Sequence, residues 1–366
     1  MSQIIIEDQS YDLTLTHYTN ATEESSVEVK RNRGKIIDGE GEVVCSSFGF
    51  TPDYVVMEDR EKYIPLLTDL SKCDIFRSEE GSVLRLFFND NRWNLSTHKR
   101  IDAFSSRWSS SKTFGEWFMT ALEYFFIHGE GKGQLTFENH DELFDRFCDT
   151  LDKTIVYTFL LRTNQDTKIV CTVPDHPTLF FAGAFQNEKR VKNITLQIPS
   201  PLRVEFSTVS ELEEYVTSLS PFDHQGVIVM LEDDSTIKII HPLQSSYKLI
   251  RGSEPDITAA YFRIRNNKQD VALFTRLFPN VAVSLLEEKI FLLGKYLHSM
   301  YVRRFIKKLY TMIHPVLFVM LKKAHTWHVE DRATHIVTLD RMMEFMLEQP
   351  YSHLYRMVQE FSNNSK

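Results

Sequence analysis

Two groups of residues have types and spacings that could do chemistry. The first is Ser78-Glu79-Glu80-Gly81-Ser82, which places carboxylates, hydroxyls and a glycine at the entrance of an apolar, strand-like run. The second is a basic group in which Arg303 and Lys307, and likewise Arg304 and Lys308, are four residues apart. Residues four apart share one face of a helix, so this group predicts a track for the phosphate backbone of RNA. A solvated helix face, or a surface for an acidic partner protein, is the alternative interpretation.

Metal and hydrolase sites are not predicted. His325 and His328 are spaced about one helical turn apart, with His335 nearby, but a zinc ion needs three or four converging ligands. The chain lacks an H-E-x-x-H arrangement, and its four cysteines have no C-x-x-C spacing. No G-x-S-x-G sequence is present to form a nucleophile elbow. We therefore expect no metal site and no Ser-His-Asp chemistry.

The acidic–glycine element precedes a predicted hairpin. Ser82–Phe88 and Trp93–Thr97 are rich in apolar, strand-favouring residues, and Asn89–Arg92 supplies turn residues between them. After the hairpin, apolar residues at helical spacing predict a helix over Phe114–Ile127. Upstream of it, Val27–Val44 is expected to form two strands around a glycine-containing turn.

Further elements are predicted downstream. Thr154–Leu161 is a strongly apolar strand, and Gln225–Val229 and Thr236–Ile240 have the same character. A helix is predicted to begin at Ser210, which has Glu213 three residues on, as in a capping box.

Motifs in the same order resemble those of RNA ligases related to the phage T4 type. In that family a Lys-x-Asp-Gly-Ser motif precedes a strand, a turn and an STR-like element, and here Ser78–Ser82 is followed by the hairpin and by Ser96-Thr97-His98. Upstream, Arg33-Gly34 and Glu42–Phe48 resemble the family's RG and VV-x-RPF strand pair. The similarity covers the N-terminal two-thirds of the chain and is nearest to the RNA-ligase-like proteins of large DNA viruses.

Three positions depart from the family's pattern. The nucleophilic lysine of the family, which attacks the α-phosphate of ATP to form lysyl-AMP, corresponds to Ser78. Two family glutamates, one on a Y-x-F-E-L strand and one that begins an E-G-V-V strand, correspond to Leu160 and Gln225. A serine hydroxyl would need a nearby base, and an amide binds Mg²⁺ less well than a carboxylate. The resemblance therefore implies a ligase scaffold that has lost lysine adenylation.

The resemblance also implies which residues bind the nucleotide. Glu80 and Gly81 occupy the Asp-Gly positions of the nucleotidyl-transfer motif. Lys238 occupies the place of a lysine that grips the α-phosphate, and Lys248 is expected to be a second phosphate ligand. A solvated lysine on an edge strand is the alternative interpretation of Lys238.

The fold expected from this resemblance is α+β, with antiparallel sheets of the nucleotidyltransferase (ATP-dependent ligase) type and flanking helices. Residues 1–265 would form that domain. Beyond it strand-like patterns become rare, and apolar residues from Leu285 to Ile313 recur on one helical face until Pro315. Residues 266–366 are therefore predicted to form an all-helical C-terminal domain.

Three functions follow as hypotheses. The first is a non-enzymatic protein that binds RNA, a nucleotide, or a viral or host protein through its helical C-terminal domain. The second is an active RNA ligase that uses ATP, Mg²⁺ and a displaced lysine, with Lys30, Lys35 and Lys72 as the alternatives. The third is a structural subunit of a viral assembly whose cleft is filled by side chains such as Leu160. An open cleft would favour the first hypothesis over the third.

Composition limits the partners and the location. The net charge of −8 counts against bulk nucleic-acid binding but permits a local basic groove. No apolar run is long enough to cross a bilayer, the N-terminus lacks a secretion-like segment, and scattered cysteines are typical of a reduced compartment. We expect an intracellular, cytoplasmic protein with no membrane partner, or one that is packaged in a virion.

Overall fold

A computed structural model describes residues 2–164, 169–254 and 256–364. It divides into two compact units, Met1–Lys248 and Leu249–Lys366. The strands within the described ranges all belong to the first unit and are β1 (Gln3–Ser10), β2 (Leu13–Thr19), β3 (Arg33–Ile37), β4 (Val43–Cys45), β5 (Asp53–Val55), β6 (Asp74–Ser78), β7 (Ser82–Asn89), β8 (Arg92–Thr97), β9 (Val156–Arg162), β10 (Thr178–Gln186), β11 (Lys189–Val191), β12 (Gly226–Met230) and β13 (Thr236–Ile240).

Helices occur in both units. They are α1 (Val27–Arg31), α2 (Arg60–Tyr63), α3 (Phe114–Ile127), α4 (His140–Asp149), α5 (Val209–Ser218), α6 (Pro242–Arg251), α7 (Ile257–Ile264), α8 (Lys268–Leu277), α9 (Val283–Tyr301), α10 (Pro315–Glu330), α11 (Leu339–Leu347) and α12 (Tyr351–Asn364). In the described part of the chain, none of these helices is both long and apolar enough to cross a membrane.

The strands form three sheets. Their orders are β1-β2-β3-β4, β11-β10-β9-β7-β8 and β5-β13-β12-β6. Neighbouring strands pair in the antiparallel sense, except for β5, which is parallel to β13. The predicted α+β architecture, with antiparallel sheets, flanking helices and a helical C-terminal region, is confirmed. A domain boundary between residues 265 and 266 stays a prediction.

The second sheet has two differently used faces. Side chains alternate between the faces of a strand, and on β7 Leu84 and Leu86 are fully buried in a cluster that includes residues of α3 and α4. Phe87 points the other way and joins a cluster with residues of the first sheet. Arg85 is on the same side as Phe87 and is also fully buried. Arg85 therefore faces away from the main apolar core.

The central hairpin and the helix after it are confirmed. Asp90 and Asn91 both have positive φ angles, 51° and 57°, as the two-residue turns that match strand twist require. Helix α3 spans the predicted Phe114–Ile127, and Thr113 and Glu116 form a reciprocal capping box at its start. By contrast, Val27–Arg31 is a helix rather than a strand.

The helix that carries the basic group ends earlier than predicted. Helix α9 ends at Tyr301, and Val302–Ile306 forms a π-helical turn. Lys308 then has a φ of 58°, a left-handed conformation that right-handed helices exclude. Arg304 and Lys308 therefore do not share a helical face, and that part of the prediction is wrong. A role of the four basic residues in nucleic-acid binding stays a prediction.

Candidate functional site

An open cleft of about 990 Å³ lies between the second and third sheets of the first unit. Leu160 on β9 lines it from one side, and Ser78 on β6 and Lys238 on β13 line it from the other. Gln225 stands directly before β12, next to both strands, because β12 pairs with β6 and with β13. The structure thus lines one cleft with three of the four positions expected at a nucleotide site, and it places the fourth, Gln225, in contact with two of them.

Gln225 links Ser78 and Lys238. Its Oε1 atom accepts a hydrogen bond from Ser78 Oγ at 3.1 Å and another from Lys238 Nζ at 3.1 Å. Ser78 is 2% exposed and Gln225 is 5% exposed, whereas Lys238 is half-buried. An amide oxygen is a poor proton acceptor compared with His or a carboxylate, so it cannot turn the Ser78 hydroxyl into a nucleophile. The cluster can, however, hold a cationic donor at a fixed place in the cleft.

Lys238 is the most strongly perturbed cation of the cleft. Burial lowers the pKa of its amine to about 8, with the positive charges of Lys248 and Arg33 acting in the same direction and Asp53 opposing them. Burial alone would raise the pKa of the Asp53 carboxyl, but Lys238 and Lys248 hold that pKa below its usual value. Lys248 itself donates to Asp53 at 2.7 Å. Lys248, predicted to bind phosphate, therefore already has a carboxylate partner.

Two acidic residues of the motif have structural partners. Glu79 is buried and pairs with Arg77 at 2.9 Å and Arg162 at 2.8 Å. Burial tends to raise the pKa of Glu79, but His224 and the two arginines outweigh it and lower that pKa. Glu80 accepts hydrogen bonds from the backbone N–H groups of residues 169–171, at 2.9–3.2 Å. Binding of a nucleotide by Glu80 stays a prediction, but its carboxylate is already bonded to this loop.

Gly81 allows a close approach of the motif to β9. A Cβ atom at this position would lie 2.5 Å from the carbonyl oxygen of Leu161 and 3.1 Å from the Leu160 side chain. Any larger residue would push the motif away from the second sheet. This packing accounts for the glycine, and its predicted contact with a nucleotide is not tested.

Buried Arg85 fixes one corner of the cleft. Its guanidinium donates to the carbonyl oxygens of Gly34 and Thr97. Gly34 directly follows Arg33 and Thr97 directly precedes His98, and both Arg33 and His98 line the cleft. The two segments are in close contact there, because a Cβ atom on Gly34 would lie 2.5 Å from the carbonyl oxygen of His98. Arg85 pairs with no carboxylate among the described residues, and arginine stays charged at neutral pH. The corner therefore carries uncompensated positive charge.

The histidines of this corner are neutral at physiological pH. Burial, assisted by Arg33, lowers the pKa of His98 to about 3. Burial also lowers the pKa of His17 to about 4, and the two rings lie 5.4 Å apart between centroids. Their Nδ1 atoms have no hydrogen-bond partner among the residues that the structure describes. The positive charge of the corner consequently comes from Arg33 and Arg85.

The three displaced lysines are in different settings. Lys72 lines the cleft, 3.5 Å from Glu232. Lys35 pairs with Glu188, and Lys30 donates to a backbone carbonyl oxygen. Of the three, the structure brings only Lys72 to the cleft.

The donor set of the cleft does not fit Mg²⁺. Leu160 is apolar and Gln225 is a neutral amide. Glu79 is paired with Arg77, Arg162 and His224, and Asp53 is paired with Lys248. Among the described residues, no group of three or more His, Cys, Asp and Glu side chains could hold a metal ion.

Several cleft residues were not predicted from the sequence. Arg190 and Arg203 both pair with Asp74, at 2.8 Å and 3.3 Å, and Lys192 lines the cleft near them. They are distant in sequence from Asp74 and come near it because β11 lies at the edge of the second sheet and because Arg203 forms a bridge with Phe76 of β6. No local pattern marks them, so only the fold shows that they share a site.

Comparison with known proteins gives distant viral relatives. No family model matches the chain. The immediate-early protein ICP-46 homolog of Invertebrate iridescent virus 6 is 24% identical over 292 residues, which cover 75% of this chain and 63% of the relative. The homolog of Invertebrate iridescent virus 3 is 24% identical over 268 residues, which cover 71% and 57%. The chain thus spans less than two-thirds of the length of either relative.

Solved structures with some similarity include ligases. A protein described as an ATP-dependent DNA ligase from Aquifex aeolicus has a TM-score of 0.41 at 11% identity, covering 78% of this chain and 72% of that chain. Two forms of an archaeal ATP-dependent RNA ligase have TM-scores of 0.39 and 0.41 at 10% identity. They cover 75% and 76% of this chain, and 66% and 69% of the ligase. At this level of similarity, function has to be argued from the cleft itself.

Proposed function

We propose that this chain is an RNA-ligase-like protein that does not adenylate itself and whose cleft binds a nucleotide or RNA through phosphate groups. The observation that carries the proposal is the cluster in which Ser78 and Lys238 both donate to Gln225 at the wall of an open cleft. In the described part of the chain the serine hydroxyl contacts only a neutral amide and no activating base, whereas the lysine ammonium can pair with a phosphate oxygen.

The openness of the cleft supports binding over a purely structural role. Leu160 lines the space without filling it, and about 990 Å³ is enough for a nucleotide-sized ligand. A structural subunit with a degenerate site would be expected to close such a volume with apolar side chains, because packed interiors leave few voids larger than water.

The charge of the cleft supports a phosphate ligand. Of the residues that the structure describes, seven Lys or Arg and four Asp or Glu line it, an excess of three positive charges (seven minus four) in a chain of net charge −8. Buried Arg85 adds to this field from behind the wall. Local positive potential concentrates anionic ligands even when the whole protein is acidic.

A displaced-lysine ligase is the second candidate function, and one observation favours it. The pKa of Lys238 is lowered to about 8. A lowered pKa increases the fraction of neutral amine, which is the form that attacks electrophiles. Lys238 would then join Lys72 as an alternative nucleophile. A covalent adduct mapped to either lysine would distinguish this function from simple binding.

Binding to a fluorescent 5′-phosphorylated single-stranded RNA and to ATP tests the proposal. Lys238→Met should weaken binding of the ligand by about tenfold or more, because a charged hydrogen bond contributes about 1.5–3 kcal/mol. Lys132→Met makes the same change on an exposed turn outside the cleft and should alter affinity by less than about twofold. Equal affinities of the two variants, or no binding by the wild-type protein, would overturn the proposal.

The location belongs to the same proposal. The two curated relatives are proteins of iridescent viruses, which supports action inside an infected cell, in the cytoplasm or packaged in a virion.

A further inference from the structure

A solvent-facing strip in the second unit has a composition unlike the rest of the chain. We define the 303–312 strip as the exposed residues Arg303, Ile306, Lys307, Lys308, Leu309, Tyr310 and Met312. Tyr310 is 88% exposed and Met312 is 84% exposed. Exposed apolar residues that are contiguous, rather than scattered, mark surfaces that contact a partner.

The strip is held in place by Arg304. Its Nη1 atom donates to the carbonyl oxygen of Thr311 at 3.0 Å, and its guanidinium stacks 4.7 Å from the Phe318 ring. Thr311 is 6% exposed, between two highly exposed neighbours. Alternating exposure of this kind is typical of extended backbone. The side chains of Tyr310 and Met312 are therefore both presented to solvent, on either side of a residue that Arg304 anchors.

The backbone of this segment has unused hydrogen-bonding groups. The N–H groups of Tyr310, Met312 and Ile313 make no backbone hydrogen bond to any residue that the structure describes. Extended backbone with free N–H and C=O groups is a template on which a peptide can add as a strand.

The charge of the strip indicates the partner's chemistry. The sequence from Lys289 to Val329 contains no Asp or Glu, although the whole chain has a net charge of −8. Arg303, Lys307 and Lys308 form no ion pair with a described residue. Exposed Ile306, Leu309 and Met312 would contribute nothing to phosphate contacts, whereas Tyr, Met and Arg are enriched at protein interfaces. Protein is therefore favoured over RNA.

We propose that the 303–312 strip binds an acidic, extended peptide segment with apolar side chains at alternate positions, which adds as a strand beside Tyr310–Ile313. Acidic side chains of the peptide pair with Arg303 and Lys307, and its apolar side chains cover Tyr310 and Met312. This surface is separate from the cleft and does not depend on the function proposed there.

The test measures binding of a fluorescent peptide of alternating glutamate and leucine to the full chain. Arg303→Glu with Lys307→Glu, and separately Tyr310→Ser with Met312→Ser, should each weaken binding by about tenfold or more. Matched controls make the same changes elsewhere in the second unit: Lys268→Glu with Arg276→Glu, and Leu285→Ser at another exposed position. The controls should bind within about twofold of the wild type.

Two further comparisons test whether the peptide adds as a strand and whether the partner is a peptide or RNA. Two peptides are compared, one N-methylated at its odd-numbered residues and one at its even-numbered residues. Their affinities should differ, because strand addition uses the N–H groups of alternate residues only. Equal binding of both phases, no peptide binding by the wild type, or equal losses in the controls would overturn the proposal. Binding of an oligouridine that depends on Arg303 and Lys307 but not on Tyr310 and Met312 would overturn it in favour of RNA.

Discussion

At position 78, a nucleophile would have to be deprotonated and free to reach a phosphorus atom. The Ser78 hydroxyl is instead buried and donates a hydrogen bond to Gln225. The surrounding side chains do not compensate, because Leu160 is apolar and Gln225 is neutral. On the function proposed above, three side chains would have to change together to give an adenylating site.

Restoring one of these side chains should not restore chemistry. We expect Ser78→Lys alone to form no adduct with ATP, because the sites of Leu160 and Gln225 still lack carboxylates. Each lost electrostatic contact in such a reaction typically costs about 2.7–4 kcal/mol of transition-state stabilisation. Transfer of label from ATP carrying a labelled α-phosphate measures this. Labelling of the single variant is compared with that of the triple variant Ser78→Lys, Leu160→Glu and Gln225→Glu, which also has the two carboxylates. Labelling of the single variant would show that these carboxylates are dispensable.

The lowered pKa of Lys238 predicts how ligand binding depends on pH. The folded-state pKa of about 8 lies below the ordinary 10.5, so the ammonium is lost as pH rises through about 8. Affinity for ATP should fall over that range, while the charge of the phosphates no longer changes. Lys238→Met should bind weakly with no such fall, and Lys132→Met should follow the wild type. A wild-type affinity that is flat across pH 8 would mean that Lys238 does not contact the phosphates.

At the scale of elements, local sequence patterns predict those helices and strands whose limits do not depend on tertiary contacts. The hairpin at β7 and β8 and helix α3 follow from turn residues and apolar spacing. Helix α5 shows the limit, because Ser210–Glu213 and Thr208–Glu211 are both capping-box spacings. The structure uses Thr208 as N-cap, while Glu213 is buried and accepts a hydrogen bond from Tyr63 at 2.7 Å. The contact of Glu213 with Tyr63, which is distant in sequence, favours Thr208 over Ser210 as the N-cap. The sequence does not show this contact.

The end of helix α9 is a second case. Its apolar spacing continues past Tyr301, and no glycine or proline interrupts it before Pro315. The break at the π-helical turn and the positive φ of Lys308 instead accompany the contacts of Arg304 with Thr311 and Phe318. Because these contacts are tertiary, residue spacing alone predicts a longer helix.

Arg85 should be required both for stability and for the cleft. Arg85→Leu would leave the buried carbonyl oxygens of Gly34 and Thr97 without their donor, at a cost of about 1–3 kcal/mol for each group. The urea midpoint should fall, and ATP binding should weaken because the segment of Arg33 is no longer fixed. Arg92→Leu, at an exposed position on β8, is the matched control. An unchanged midpoint for Arg85→Leu would show that these bonds do not hold the corner.

At the scale of the whole molecule, charge is distributed unevenly. The net charge of −8 correctly argues against a uniformly basic surface, yet the cleft has an excess of cations. Ordered motifs in the sequence indicate the ligase-like scaffold. The sequence does not indicate that Arg190, Lys192 and Arg203 reach the cleft, because their positions depend on tertiary structure. Global charge therefore constrains the class of protein more than it constrains the site.

One measurement tests the central claim, that the cleft binds phosphates without covalent transfer. The full chain is incubated with ATP labelled at the α-phosphate and Mg²⁺, and bound label is counted before and after denaturation. We predict that native protein retains label, that Lys238→Met retains much less, and that denaturation releases the label. Label that stays on the denatured chain and maps to a lysine would contradict the account and establish a displaced-lysine ligase. Absence of label on the native chain would contradict phosphate binding by the cleft.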